Sequence, residues 1–537
     1  MVWAVSTMLQ RVQASPGAVV AASAVVGIAT WLLVASARSS STEKKDAEHE
    51  PRRATIHELE SALPLLGSML EVAAHGDTFH DWLVVQTLKV NGEPWRLRIP
   101  GQADSIIVCL PDAIEDIMTT QFDKFPKGDH QIALLSTMFG RGLLAADGER
   151  WFHQRKTAAK FFSAKVLRAF LKQSIHKSWD RMARIIDKAS AEGNPVDLKK
   201  MFHDFTLDTF VEMALGVDLD CISATELHPF QAALDAASPV TSLRFRRPPW
   251  YWKLEHKLRV GREGELARSM DVIYGWLHKV VQQSINKCMQ QTKQGESSAK
   301  SVVELFFENS QDGVDGLEKE DLVDFVLTFL IGARDTTADT LSWFFYLLAT
   351  NPEAEARIRS ELKEKLLGVD RDTYLTTDHT RELLYFEAAI KESLRLYPAA
   401  PFSFRHVSED TVIGDGIHLR KGEAVVMPAF TIARLPRVWG DDAAQFKPER
   451  WIDEPSRSIK QFPSTKFFSF SAGPRTCPGM NLAMLELRVI AANLLHRFQF
   501  DVDLDSNDGS YVMSTTMTMK NPLVVHAAKA TRMNFVK

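Results

Sequence analysis

The stretch FSFSAGPRTCPGM, Phe468 to Met480, constrains this chain more than any other. It sets one of only four cysteines between two prolines and two glycines. Phe470, Gly473, Arg475, Cys477 and Gly479 together spell F-x-x-G-x-R-x-C-x-G. The other cysteines, Cys109, Cys221 and Cys288, lie far apart and show no CxxC spacing. Neither a disulfide framework nor a zinc site of ordinary spacing fits that distribution. An isolated cysteine is then an inert buried residue, a nucleophile or a single metal ligand. The neighbours are of the kinds that the last would use. A thiolate on iron must be dry and deprotonated, and N–H groups of a tight glycine turn can tune its charge. Glycines let backbone pass close to a flat macrocycle, and an arginine can clamp a carboxylate on it in bidentate fashion. The apolar run NLAMLELRVIAANLLHRF follows, so the sulfur stands just before a helix N-terminus, where negative charge is stabilised.

Length and charge bound the rest. A chain of 537 residues suggests about three domains, and 45% hydrophobic content supports a large core. A net charge of −4 speaks against nucleic acid as a partner. The first residues divide into a tail (1–16), an uncharged apolar run (17–37) and a charged segment (38–62) without apolar periodicity. As a helix, Gly17–Ala37 would span roughly 31 Å, enough for a bilayer. The small residues Ala35–Ala37 also suit signal cleavage, but the run exceeds the roughly 7–15 residues of a signal core. Arg38, Lys44, Lys45, Arg52 and Arg53 follow the run, against Arg11 before it. The expectation is a single-pass anchor with the bulk of the protein cytosolic, then a solvated linker to residue 62 and one folded unit over 63–537.

Within that unit, helical periodicity dominates from Asp112 onward. PWRLRIPG and DSIIVCL predict a strand pair, and TVIGDGIHLRKGEAVVMPAF a second strand-rich patch turning at GDG. The fold class is mostly α with a minor β portion. Gly140, Gly142 and Ala145 match a G-x-G-x-x-A dinucleotide fingerprint, yet no strand leads into it and no acidic residue follows about 20 positions on. It is rejected. The segment DLVDFVLTFLIGARDTTADTLSWFFYLLATNP is apolar nearly all round except at Arg334, Asp335 and Asp339. Those three charges are costly in a membrane, so it reads as a buried central helix.

The cysteine loop resembles the haem-binding loop of cytochromes P-450, and other segments extend the resemblance from Leu63 to the C-terminus. KESLRLYP holds Glu392 and Arg395 one helical turn apart, and FKPERW supplies Arg450. In the family such a trio is a structural lock behind the haem. DGERWFHQRK places Trp151 and Arg155 as the family's W-x-x-x-R, which with Arg405 would meet the haem propionates. Gly332–Thr336 is similar to the signature of the helix over the distal haem face, with Ala333 replacing its second glycine. Thr336 and Asp335 are the candidates for proton delivery, although a mid-helix hydroxyl can also bond its own backbone. Phe402, Phe404, Thr515 and Thr516 fall where the family lines its substrate pocket.

The resemblance implies a single catalytic domain that binds haem b, non-covalently, through the Cys477 thiolate. Gly332 stands where one branch carries the glutamate that links to haem. The implied activity is a monooxygenase that uses O2 on a lipophilic substrate, with omega- or near-terminal hydroxylation of long-chain fatty acids as the closest branch. Sterols or terpenoids are alternative substrates; a haem-dependent isomerase or dehydratase and a non-catalytic haem or lipid binder are alternative classes. No flavin or NADPH motif is visible, so electrons would come from a membrane-bound NADPH-cytochrome P-450 reductase. Arg150, Lys156, Lys160 and Lys165 are candidates for its docking face. The expected location is the endoplasmic reticulum membrane. LRFRRPPWYWKL, with Arg244, Arg246, Arg247, Trp250, Tyr251 and Trp252, suits contact with membrane lipid.

Overall fold

The computed structural model describes residues 55–162, 171–294, 303 and 319–530. Lys319–Thr350 is a continuous 32-residue helix. Leu198–Leu215, Gly261–Gln294, Leu384–Leu396 and Met480–Arg497 all pack against it. Contact on so many sides explains why its sequence shows no single apolar stripe. The helix stops at Asn351, and Pro352 takes the first position of the next helix, where its missing N–H costs nothing. Leu198–Leu215 begins at Asp197, whose carboxylate accepts from the Lys200 N–H at 3.2 Å. It ends at Gly216, in the left-handed conformation with φ 67°.

The strands are short and peripheral. Five form one sheet in the order His57–Glu58, Trp95–Leu97, Ser105–Ile107, Ala424–Met427, Ser403–His406. Trp95–Leu97 and Ser105–Ile107 are the predicted antiparallel pair. Thr411–Ile413 and Ile417–Leu419 form the hairpin turned at GDG, where Gly414 and Gly416 take φ of 48° and 93°. A three-stranded sheet joins Phe498–Val502, Val524–Lys529 and Val196–Asp197. His57–Glu58 pairs in parallel with Trp95–Arg96. The sheet therefore begins inside the segment 38–62 that sequence reads as linker.

The rejected fingerprint has a packing explanation. A Cβ on Gly140 would lie 2.1 Å from the Asp324 carboxylate, and one on Gly142 would lie 1.9 Å from Thr328 Oγ1. The Arg141 N–H donates to Asp324 at 2.8 Å. These glycines let a loop press onto the central helix. They cradle no nucleotide.

The expected single-pass placement in the endoplasmic reticulum membrane is corrected. Among the described residues no helix is long and apolar enough to cross a membrane. The most apolar long helix, Lys319–Thr350, buries Asp324, Arg334, Asp335 and Asp339 against protein. The segment 17–37 itself lies outside the described residues.

Candidate active site

Cys477 lies between two short 3₁₀ turns, Phe468–Phe470 and Gly473–Arg475, and the helix Met480–Arg497. Its N–H donates to the Phe470 carbonyl at 2.9 Å, which closes the loop on itself. Gly473 takes φ +61°, and a Cβ there would lie 1.9 Å from the Met118 carbonyl oxygen. Only glycine fits that approach. Burial pushes the Cys477 thiol up, while the N–H groups of Gly479 and Met480 and the nearby charge of Arg155 pull it back. Ser469 ties the loop to its neighbour by donating to the Leu394 carbonyl at 2.7 Å.

Behind the loop, Glu392, Arg395 and Arg450 meet. Arg395 donates from Nε and Nη2 to the two Glu392 oxygens at 2.8 Å each. The Arg450 Nε donates to Glu392 at 3.3 Å, and the Trp451 indole at 2.9 Å. Arg395 also donates to the carbonyls of Ala433 and Ala443, which fixes the segment 433–451. Glu392 and Arg395 are fully buried. A buried pair this well satisfied sets geometry, and it touches nothing in the cavity.

In front of the loop is a cavity of about 380 Å³. Cys477, Phe470, Arg475 and Gly479 line one wall, and Gly332, Ala333 and Thr336 of the central helix line another. Trp151, Arg155, Arg405, Phe402, Phe404, Thr515 and Thr516 also reach it. Most of the sequence candidates thus converge on one space; Gly473 shapes the loop without lining it, the Glu392 trio stands behind it, and Asp335 is turned elsewhere. Asp335 faces away: Arg334 donates to its carboxylate at 2.9 Å, and His203 Nδ1 stands 3.8 Å off. Burial raises the Asp335 carboxyl above its ordinary range, against the pull of Arg334 and His203. Thr336 lines the cavity and donates its hydroxyl to the Gly332 carbonyl at 2.5 Å, the back-bond of a mid-helix threonine.

The rim carries more positive charge than the protein neutralises. Lys127, Arg405 and Arg475 cluster there around one carboxylate, Asp147. Arg475 bonds Asp147, donates to the Ala146 carbonyl at 3.2 Å, and stacks 4.5 Å over the Trp151 ring. The same Asp147 accepts from the N–H groups of Lys127 and Gly128, at 3.1 and 2.8 Å. Burial, then repulsion from Arg475, lowers Arg405 to about 9. Burial followed by both arginines pushes Lys127 well below an ordinary lysine. The Nε groups of Arg405 and Arg475 are buried without a partner. A buried surplus of cations with unused donors fits a dianionic ligand, as the two carboxylates of haem b require.

Three residues escape sequence reading. Lys127 sits alone in KFPKGDH and belongs to no pattern. Asp147 precedes the Trp151 segment but carries no signal of its own. Glu486 lies within the helix after Cys477, lines the cavity, and is held at about 7 by burial, with Thr209 its donor at 3.4 Å. Of the basic candidates on the Trp151 helix, Arg150 and Lys156 are exposed on its outer side beside Phe152, which is 65% exposed. The Lys160 side chain and Lys165 lie outside the described residues.

A cytochrome P450 family model matches residues 58–525. Cytochrome P450 94C1 of Arabidopsis thaliana is 32% identical over 401 residues, 74% of this chain and 78% of that protein. Cytochrome P450 CYP94D108 of Paris polyphylla is 29% identical, covering 81% of this chain and 85% of its own length. Cytochrome P450 monooxygenase cyp1 of Mycosarcoma maydis is 28% identical over 87% of this chain and 74% of its own.

Proposed function

We propose that this chain, which belongs to the cytochrome P450 family and is therefore a haem-thiolate monooxygenase, hydroxylates long-chain fatty acids at or near the methyl end. The observation that carries the site assignment is one cavity shared by Cys477, Thr336 and the cations Lys127, Arg405 and Arg475, which the single carboxylate of Asp147 only partly neutralises. Haem, when bound, would supply the activation of O2, one atom of which enters a C–H bond while the other leaves as water with two electrons from the reductase and two protons. Cys477 would hold the iron, and the Gly479 and Met480 N–H groups and Arg155 would favour its thiolate against the opposing effect of burial. Lys127, Arg405 and Arg475, with Trp151 and Arg155, hold the propionates. Glu392, Arg395 and Arg450 keep the loop at its distance from the central helix.

The Thr336 hydroxyl is the proposed proton donor into the cavity, exchanging its bond to the Gly332 carbonyl for one to the reacting oxygen. Asp335 reaches that hydroxyl only if its carboxylate leaves Arg334. Its partner Arg334 also binds Asp235 at 2.7 Å, and Asp235 is half exposed. Arg334, which stays protonated, thus ties the carboxylate beside Thr336 to a half-exposed one and holds it in place. Apolar walls (Phe139, Leu143, Phe210 and Phe329) exclude water and accept an alkyl chain. Electrons would come from a separate NADPH-dependent reductase docking on the face that carries Arg150 and Lys156.

Turnover of mixed lauric-to-oleic acids with such a reductase and NADPH, with hydroxyl position read by mass spectrometry, tests this reading. NADPH-dependent hydroxylation near the methyl end supports it. Silence on acids, with turnover of sterols or terpenoids, moves the substrate class. Peroxide rearrangement without NADPH replaces the monooxygenase assignment with an isomerase.

A further inference from the structure

Three arginines stand within four residues of LRFRRPP, and the structure gives them different fates. Arg244 is fully buried and saturated: it donates to Glu263 at 2.8 and 2.5 Å, to the Leu134 carbonyl at 3.0 Å and to Thr137 at 2.9 Å. Arg247 pairs with Glu255 at 3.2 Å. Arg246 donates to the Gly76 carbonyl, and its Nε is buried with no partner. Among the described residues no carboxylate lies within ion-pair distance of it. Asp77 is close enough to favour its charge, but burial outweighs Asp77 and holds the guanidinium below its ordinary range.

Arg246 lines a second, smaller cavity of about 80 Å³ between the five-stranded sheet and the helices Gly128–Phe139 and Pro229–Leu243. Its walls are apolar, with Phe79, Leu97, Ile99, Leu134 and Met513 among them. Beside Arg246, its polar lining comprises Gln102, Ser105, His130, Gln131, Ser242 and His406, with Lys127 and Arg405 at the border of both cavities. Gln131 Oε1 is buried without a partner, and burial, then Lys253 and His406, lowers the His130 ring below its ordinary value. Gln102 donates to the Phe245 and Arg247 carbonyls at 3.4 and 2.9 Å, pinning the turn Arg244–Arg246 to the sheet. Three rings separate this chamber from the Cys477 cavity and line both. Phe245 stacks on Phe404 at 4.9 Å, and Phe402 meets Phe404 edge-on at 4.9 Å.

A chamber with a cation that the proposed cofactor carboxylates do not claim, divided from the reaction cavity by rotatable rings, has the chemistry of a head-group site. We infer that this chamber takes the carboxylate of a long-chain acid, with Arg246 as its partner, while the alkyl chain passes between Phe245, Phe402 and Phe404 so that its methyl end lies toward Cys477. Lys127 and Arg405 also border both cavities, but their charge is committed to the cofactor carboxylates. Arg246 is thus a specificity-determining residue, and it accounts for attack at the end of the chain far from the acid. The inference rests on the fatty-acid reading.

Calorimetric titration of the holoenzyme with laurate, its methyl ester and dodecyltrimethylammonium tests it. The native protein is expected to bind laurate at least tenfold more tightly than the trimethylammonium analogue. Arg246→Gln is expected to weaken laurate about tenfold and to leave the ester within about twofold, with Arg246→Lys between. Laurate affinity unchanged in Arg246→Gln, or an equal loss for acid and ester, overturns the role of Arg246 alone. Equal binding of laurate and its cationic analogue by the native protein overturns it without any variant. Failure of the native protein to bind either laurate or its ester removes the fatty-acid reading, and this inference with it.

Discussion

Arg395 holds the Glu392 carboxylate with two parallel bonds of 2.8 Å, one helical turn away and out of contact with solvent. Arg450, Trp451 and the Lys447 N–H complete the shell around the same carboxylate, so one acidic side chain organises three segments. Removing it strands the buried Arg395 guanidinium, whereas Arg450 keeps Asp442 at 2.9 Å. Glu392→Ala is predicted to cost about 3–5 kcal/mol of stability, the range for breaking one side of a buried pair. Chemical denaturation of the holoenzyme measures it. A loss under about 1 kcal/mol, the range of an exposed pair, would contradict the lock.

Two glycines predict opposite signs. Gly473→Ala forces a side chain to 1.9 Å from the Met118 carbonyl at φ +61°, so the cysteine loop must open and haem content must fall. Gly275, inside the helix Gly261–Gln294, has nothing within 4 Å of a built Cβ. Gly275→Ala is predicted to stabilise by about 0.5–1 kcal/mol. Haem absorbance per protein and the melting temperature separate the two.

Lys127 was invisible in sequence, and its variant distinguishes ligand binding from folding. Lys127→Met removes a cation buried beside two others, so the cofactor-free protein should lose no stability. Haem transfer to an acceptor protein should become about tenfold faster, one charge-assisted contact having gone. Unchanged transfer would mean that Lys127 does not face the propionates.

Glu486 gives a pH signature. Burial holds its folded-state value at about 7, against 4.5 for the free side chain. The folded protein therefore binds more protons than the unfolded chain between those values. The stabilisation is fully present below 4.5 and is lost as pH rises towards 7, by about 3 kcal/mol. Urea midpoints from pH 5 to 8 should slope downward in the native protein. Glu486→Gln should flatten that slope, and an equal slope in the variant would contradict the assignment.

Thr336→Ala should leave the fold intact, because the hydroxyl it removes only bonds its own helix. Product formed per NADPH consumed should fall about tenfold or more, as expected when a positioned proton donor is lost. Undiminished coupling would favour a non-catalytic role for the helix.

Sequence carried some parts of this molecule better than others, for physical reasons. The cysteine loop was legible because it sets a rare residue at fixed spacing, and the Glu392–Arg395–Arg450 trio was legible only through the resemblance to the family. Arg244, Arg246 and Arg247 looked alike because a sequence does not say which one finds a carboxylate. Asp335 looked like a neighbour of Thr336, yet adjacent helical residues project about 100° apart, and Arg334 and His203 take its carboxylate. Gly140 and Gly142 imitated a nucleotide motif because close packing on Asp324 and Thr328 demands glycine just as a phosphate does. Lys127 and Glu486 belong to no pattern, and only the fold brings them to the cavity.

The most direct test of the central claim is the carbon monoxide difference spectrum of the reduced protein, native and Cys477→Ser, at matched haem content. The account predicts a thiolate-type spectrum in the native protein and its loss in the variant, with haem still held through Lys127, Arg405 and Arg475. The same thiolate spectrum in Cys477→Ser would contradict the account, because Cys477 would then not be the iron ligand.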